Sequence, residues 1–570
     1  MRRSLAVLVA VLITATACSQ SAAPTPADSA ASAASETPVA GGRLVLGATG
    51  DPKTMQPVIA TDTGSSLVWG QLYLGLLSRD VKTGAIIGAL ADTYELSKDG
   101  LTLVYSLRDN LVWSDGVPFT GDDYKYTAEA VMRSKKTLRK TTFDNVVGAK
   151  DYMDGKTDGI SGITVSNAGK TITIQFSTTY CPAIEDLSGA GAGGILPSTH
   201  FKKVWDNKTT DTSKTIDSND LNMNPPASMG PWIFKEFKPG DRVTFSKNPN
   251  FYRGAVLLDE LVIKTYADTT AIKAALVTGE VTYAGVQAKD YDEVSKVDTL
   301  KGFEYVAYGW DYIGWNADAV KAPWLKDKLV RQALVYGLNR QAILDKVLFG
   351  HGKLVNASQP PANAAFDDSD LNKYAYDPNK AKQLLEQAGA KLGADGVYRW
   401  TDGTPMKMRI ETNQGNNTRE TILQFAQEQY KQIGITIDPL LESFNALLDR
   451  VRCCGTDNEG FILGFSGLGP DPDHKVLWHS STVAPGQFNR WRYKNPVVDK
   501  ALDAGQTGPD CSAAARKTQA HIVDKALNED VPVTFLYSAN TIVFASKKLQ
   551  NFSPSQYSTG WNIEKWWFKN

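Results

Sequence analysis

The size of the body sets the first constraint on this chain. Beyond position 40 about 530 residues remain, more than one hydrophobic core holds, so they divide into two or more domains. Strands and helices alternate without a fixed repeat period, which points to an α/β or α+β architecture. The stretch Tyr105 to Thr120, YSLRDNLVWSDGVPFT, carries strand, turn and helix signals in one line. Leu103, Tyr105 and Leu107 alternate with polar residues as a half-buried strand requires, and Ser114-Asp115-Gly116 is a turn signal with Pro118 following. Thr120 is placed to cap a helix whose first turn holds Asp122 and Asp123.

Other elements follow from the same rules. Arg43 to Gly47 reads as a first strand, and the polar loop Thr49 to Thr63 would emerge at its carboxyl end, where open α/β sheets bind ligands. The same loop also reads as ordinary surface with Asx turns at Asp51 and Asp62. Asp377-Pro378 opens a helix with Ala381, Leu384, Leu385 and Ala388 on one face and Gly389 at its end. Asn339 opens another that runs to Gly350, preceded by a helix through Val330 to Leu334. Pro239-Gly240-Asp241 joins two alternating strands.

Arg2 and Arg3 precede an apolar run, Leu5 to Ile13, too short to span a membrane and typical of an export signal over residues 1–17. Ala15-Thr16-Ala17-Cys18 resembles a lipobox without its usual leucine, which favours lipidation of Cys18, and the same letters also satisfy plain signal cleavage. Residues 18–40 are rich in Ser, Ala, Pro and Thr and lack the apolar side chains that would offset ordering entropy, so they read as a disordered tether. Location follows: exported, and either lipid-anchored to the outer face of the cell membrane or periplasmic.

A net charge of -1 provides no basic field for nucleic acid. In an oxidising compartment Cys181, Cys453, Cys454 and Cys511 are expected to form disulfides. Three pairings exist; a bridge between the adjacent Cys453 and Cys454 is strained, which favours bridges from these two to Cys181 and Cys511. No C-x-x-C pair occurs, and His474 and His479 are spaced for neither a helix face nor a strand face, so no metal or cofactor is expected. The absence of a G-x-S-x-G elbow and of a phosphate-binding G-x-x-x-x-G-K-[ST] run argues against a hydrolase and a nucleotide site.

Four blocks in order carry a resemblance: Tyr105 to Thr120, Gly230 to Tyr252, VRQALVYGLNRQAI from Val330, and Trp561 to Trp567. Together they resemble the extracellular solute-binding proteins of peptide and nickel ABC importers. The resemblance implies a two-lobed α/β periplasmic-binding-protein-like fold of the large peptide-binding class, with an extra subdomain inserted in the first lobe. It places the first lobe at 41–80, 222–305 and 541–570, the insertion at 81–221 and the second lobe at 306–540. It further implies a monomer without enzymatic activity that closes over an oligopeptide, or alternatively an oligosaccharide, and delivers it to membrane permease subunits. A sensing receptor would use the same fold.

Site residues are implied in three groups. Asp62 and Thr63 come from the first loop. Asn413, Gln414 and Asn417 follow a strand read as Met406 to Ile410, and their amides donate and accept at once. Phe465, Ser466, Gly467 and Leu468, with Trp478, His479 and Asn489, come from a segment that resembles the family's central ligand strand. Leu468 stands where many peptide-binding members place an Asp against the ligand's ammonium, so either another acid such as Asp62 or Asp471 supplies that charge, or the ligand's terminus is exposed, or the ligand is not a peptide.

Overall fold

The computed structural model describes residues 37–208, 215–452 and 458–569. The signal segment, Cys18, most of the tether, Cys453 and Cys454 lie outside the described residues.

β1 (Arg43–Ala48) is the predicted first strand, and Asp62 caps α1 (Thr63–Trp69) by accepting from the backbone N–H and hydroxyl of Ser65, each at 2.8 Å. β2 (Thr102–Leu107) buries Leu103, Tyr105 and Leu107 as their alternation requires. The turn after it puts Gly116 at φ +84°, and α2 (Gly121–Arg133) opens on a capping box in which Thr120 and Asp123 bond each other's backbone. β3 (Trp232–Lys238) and β4 (Arg242–Lys247) form the hairpin around Gly240, and β5 (Glu260–Thr265) joins β4 to β1 in one sheet.

β6 (Leu300–Val306) and β7 (Gly309–Trp315) follow with two residues between them. α3 (Lys328–Tyr336) and α4 (Arg340–Val347) start at the side-chain caps Asp327 and Asn339, and α5 (Pro378–Gln387) starts at Asp377 with proline in its first position. Then come β8 (Lys407–Asn413), α6 (Asn417–Gln432), β9 (Thr436–Glu442), α7 (Phe444–Arg452) and β10 (Gly460–Ser466). α8 (Pro496–Thr507), α9 (Ala513–Asp530) and the 14-residue β11 (Val533–Ser546) complete the frame. The strand expected to stop at Ile410 runs on to Asn413. Glu411 and Thr412 pair with Leu440 and Leu441 of β9 and are buried, so ladder bonding overrides their polar character.

Buried apolar residues collect in two systems. Residues before 307 and after 541 fill one pair of clusters, with Leu44, Phe245, Leu103 and Trp566 in a single core. The 81–221 segment therefore shares its core with β1, β4 and β5. Residues between 310 and 537 fill the two faces of the sheet β11-β7-β10-β8-β9. Two backbone segments pass between the systems: residues 307–308, and β11, whose first half pairs with β7 and whose second half pairs with β6.

The cysteine pairing differs from expectation. Cys181 is bonded to Cys511, not to Cys453 or Cys454. Cys181 precedes a helix packed in the first core system and Cys511 lies between α8 and α9 of the second, and the Cys181 N–H donates to the Gln506 carbonyl at 2.7 Å. That backbone contact places the two thiols together across 330 positions of sequence.

Candidate functional site

β8 runs parallel to both β9 and β10, so Asn413, Glu442 and Ser466 end on one edge of the second sheet. β7 is antiparallel to β10 and starts at that same edge with Gly309, next to the crossing segments. Strand carboxyl ends and a crossover thus define one polar rim, the position where α/β sheets receive ligands.

Three side chains form a network there. Arg419, in the first turn of α6, donates through Nε to Asp311 and through Nη1 to the Asn413 amide oxygen, both at 3.2 Å. Burial raises the Asp311 carboxyl above its ordinary value, while the Arg419 charge pulls it back. Gly464 opposite has no room for a side chain, since an added Cβ would sit 2.7 Å from Asp311 Oδ1.

The other face of the rim is aromatic. The Phe465 ring stacks on Tyr312 at 5.7 Å and meets Trp310 edge to face at 5.3 Å. Trp478 lies behind, fully buried against Trp310 and Trp491, with its Nε1 donating to the Ser358 hydroxyl at 2.7 Å. Arg490 lies over Phe465, and burial pushes the Tyr312 hydroxyl up to about 12 despite the nearby Arg490 and Arg419 charges. Across the rim, Arg452 Nη1 donates to Thr61 Oγ1 of the first core system at 3.4 Å.

Several expected ligand contacts have other roles. Trp478 is enclosed on all sides, so it supports the wall and does not form it. The buried Asn489 amide is fully engaged by the Tyr493 backbone and donates to the His479 carbonyl. His479 bonds Ser481 and faces Asp499 and Asp503 on α8. Asn417 opens α6, whose cap is Asn416. Asp62 is committed to its cap, and Asp471 is held bidentate by Arg516 at 2.6 and 2.5 Å, so neither is a free carboxylate for an ammonium. Thr63, Gln414, Ser466 and Gly467 are exposed, while Leu468 is anchored by its N–H to the Tyr308 carbonyl at 2.9 Å. Asp311, Arg419, Arg452 and Arg490 were missed. The alternation of aromatic and cationic residues in Phe488-Asn489-Arg490-Trp491-Arg492 is the one sequence signal that pointed to Arg490.

Acids of both core systems gather beside the disulfide. The Tyr180 hydroxyl donates to Asp186 at 2.5 Å, and burial together with Asp471 and Asp473 pushes the Asp186 carboxyl up to about 8. A small cavity lined by His474, Leu502 and Arg516 lies beside these acids, away from the rim. Among the described residues no group of three or more His, Cys, Asp or Glu is placed to hold a metal, and no helix is long and apolar enough to cross a membrane.

Two core systems joined by a double crossing, with a polar rim at the strand ends between them, define a two-lobed solute-binding protein. Residues 85–483 match the family described as bacterial extracellular solute-binding proteins, family 5 Middle, and the chain belongs to that family. It is similar to the oligopeptide-binding protein AppA of Bacillus subtilis (strain 168), with 28% identity over 566 residues, 99% of this chain and 98% of that protein. The structure of AppA in complex with a nonapeptide superposes with a TM-score of 0.82 at 27% identity, covering 94% of this chain and all (100%) of that one. The oligopeptide-binding protein OppA of Lactococcus lactis subsp. lactis is 26% identical over 452 residues, 75% of this chain and 73% of that protein.

Proposed function

We propose that this protein captures an extracellular oligopeptide between its lobes and hands it to the permease of an ABC importer, without chemical conversion. The similarity to AppA along 99% of the chain carries this reading, and it favours a peptide over an oligosaccharide. Asn413, Gln414, Ser466 and Gly467 would meet the peptide backbone at the rim, with Phe465 as an apolar wall and Leu468 closing its far side. Asp311 replaces the missing acid near the ligand's ammonium, since it lies two residues from the rim end of β7 beside Asn413 and already binds one cation, Arg419. Binding energy shared between lobes stabilises the closed state over the open one.

The lobe limits 41–80, 222–305 and 541–570 against 306–540 are supported by the separation of the two core systems, with 81–221 as an insertion fused to the first. Cys18 is the proposed attachment point of a lipid that keeps a monomeric protein at the membrane face. Native mass spectrometry of the purified protein, followed by calorimetric titration with peptide pools, tests the ligand assignment. A co-purified peptide or saturable peptide binding is expected; binding of neutral glycans alone overturns it.

A further inference from the structure

Arg452 at the end of α7 and Arg490 converge on a single ring. Their guanidinium carbons lie 5.8 and 5.6 Å from the centroid of Phe488, and Arg490 is also 5.6 Å from that of Phe465. Arg490 is only 5% exposed, and the Nε atoms of both residues are buried without a hydrogen-bond partner. Among the described residues no carboxylate is ion-paired with either arginine, although Asp62 and Asp449 act on Arg452 from a distance. The contrast with Arg419, Arg516 and Arg253 is direct, because each of those holds a carboxylate. Burial first, and the neighbouring Arg490 charge second, lower the Arg452 guanidinium to about 10.

Two like charges held together, one buried and one half-buried, are costly unless an anion joins them. The position of this pair supplies one. Arg490 covers Phe465 at the rim, and Arg452 reaches across it to Thr61 of the other lobe, so an anion entering between the lobes meets both guanidinium groups. Forked donors match the two oxygens of a carboxylate. We infer that Arg452 and Arg490 form a carboxylate-receiving subsite in the interlobe cleft, which selects ligands that present a carboxylate beside Phe465 and Phe488. This deepens the peptide reading above and rests on it. In a peptide the group is either the C-terminal carboxylate or the side chain of Asp or Glu.

The test is a calorimetric titration of the full protein with matched ligands: an acidic peptide, its C-terminal amide, its Asp-to-Asn and Glu-to-Gln counterpart, and both changes together. Neutral and uronic-acid oligosaccharides complete the set. A single charge-assisted contact predicts roughly 10- to 100-fold weaker binding when the recognised carboxylate is removed. Loss on amidation identifies the terminus, and loss on the side-chain change identifies Asp or Glu. Arg452→Gln, half-buried and therefore compatible with folding, should abolish that preference, so that the four peptides bind with equal affinity; Arg490→Lys should reduce it. Equal affinity for all four peptides, unaltered in Arg452→Gln, overturns the subsite and leaves the peptide reading standing. Selective binding of the uronic-acid ligand, lost in Arg452→Gln, keeps the subsite and overturns the peptide reading. Binding of none of these ligands overturns both.

Discussion

Two of the places where the lobes meet, the disulfide flank and the rim, are built in opposite ways. At the flank the lobes are joined by a disulfide and a 2.7 Å backbone hydrogen bond, and the acids beside them each have a donor within their own lobe. At the rim the contact is one 3.4 Å hydrogen bond from Arg452 to Thr61, with guanidinium nitrogens left unmatched. The flank joins the lobes covalently, whereas the rim leaves polar side chains of both lobes facing each other across one long hydrogen bond. The two lobes are thus tied covalently on one side and held by a single long side-chain hydrogen bond on the other.

The largest expected effect comes from removing the support beneath the rim. Trp310→Ala empties the centre of the aromatic cluster, a loss of about 3–5 kcal/mol by denaturant unfolding. Next is the flank. Replacing both Cys181 and Cys511 by serine should cost about 2–4 kcal/mol and accelerate ligand release in stopped-flow displacement. Unchanged release would mean that the flank does not govern opening. Paired and unpaired arginines should separate in a third comparison. Arg419→Met strands buried Asp311 and should cost about 2–3 kcal/mol of stability, whereas Arg452→Met should cost less than about 1 kcal/mol and act on affinity instead.

Acidity acts on the flank through Asp186. Asp186 keeps its proton in the folded protein up to about pH 8, against an ordinary value of 3.8. The folded state therefore binds more protons than the unfolded one between these values, and stability falls as pH rises through that window. Asp186→Asn should flatten the slope of melting temperature against pH. The smallest effect, within about 0.5 kcal/mol, is expected from Thr63→Ala, an exposed position in α1.

What was legible in the sequence was local. The caps at Thr120, Asn339 and Asp377, the turn at Gly116 and the hairpin at Gly240 depend on residues within four positions of one another, and they form as read. β8 ran past its expected end because the ladder to β9 is a partner the sequence does not display. The rim was located through Asn413 and Phe465, yet its charged members escaped notice. Arg419 and Asp311 lie 108 positions apart, and Cys181 and Cys511 lie 330 apart. Trp478 and Asn489 have the chemistry of ligand contacts but are spent on packing and on backbone hydrogen bonds, a distinction that only burial reveals.

β11 has a consequence for how the molecule unfolds. Its residues up to Tyr537 are bonded into one sheet and those from Asn540 into another, with no loop between. Loss of either sheet withdraws backbone partners from the same strand, so neither core can melt without weakening the other's ladder. Despite two separate cores, heating should produce one cooperative transition, with calorimetric and van't Hoff enthalpies in agreement.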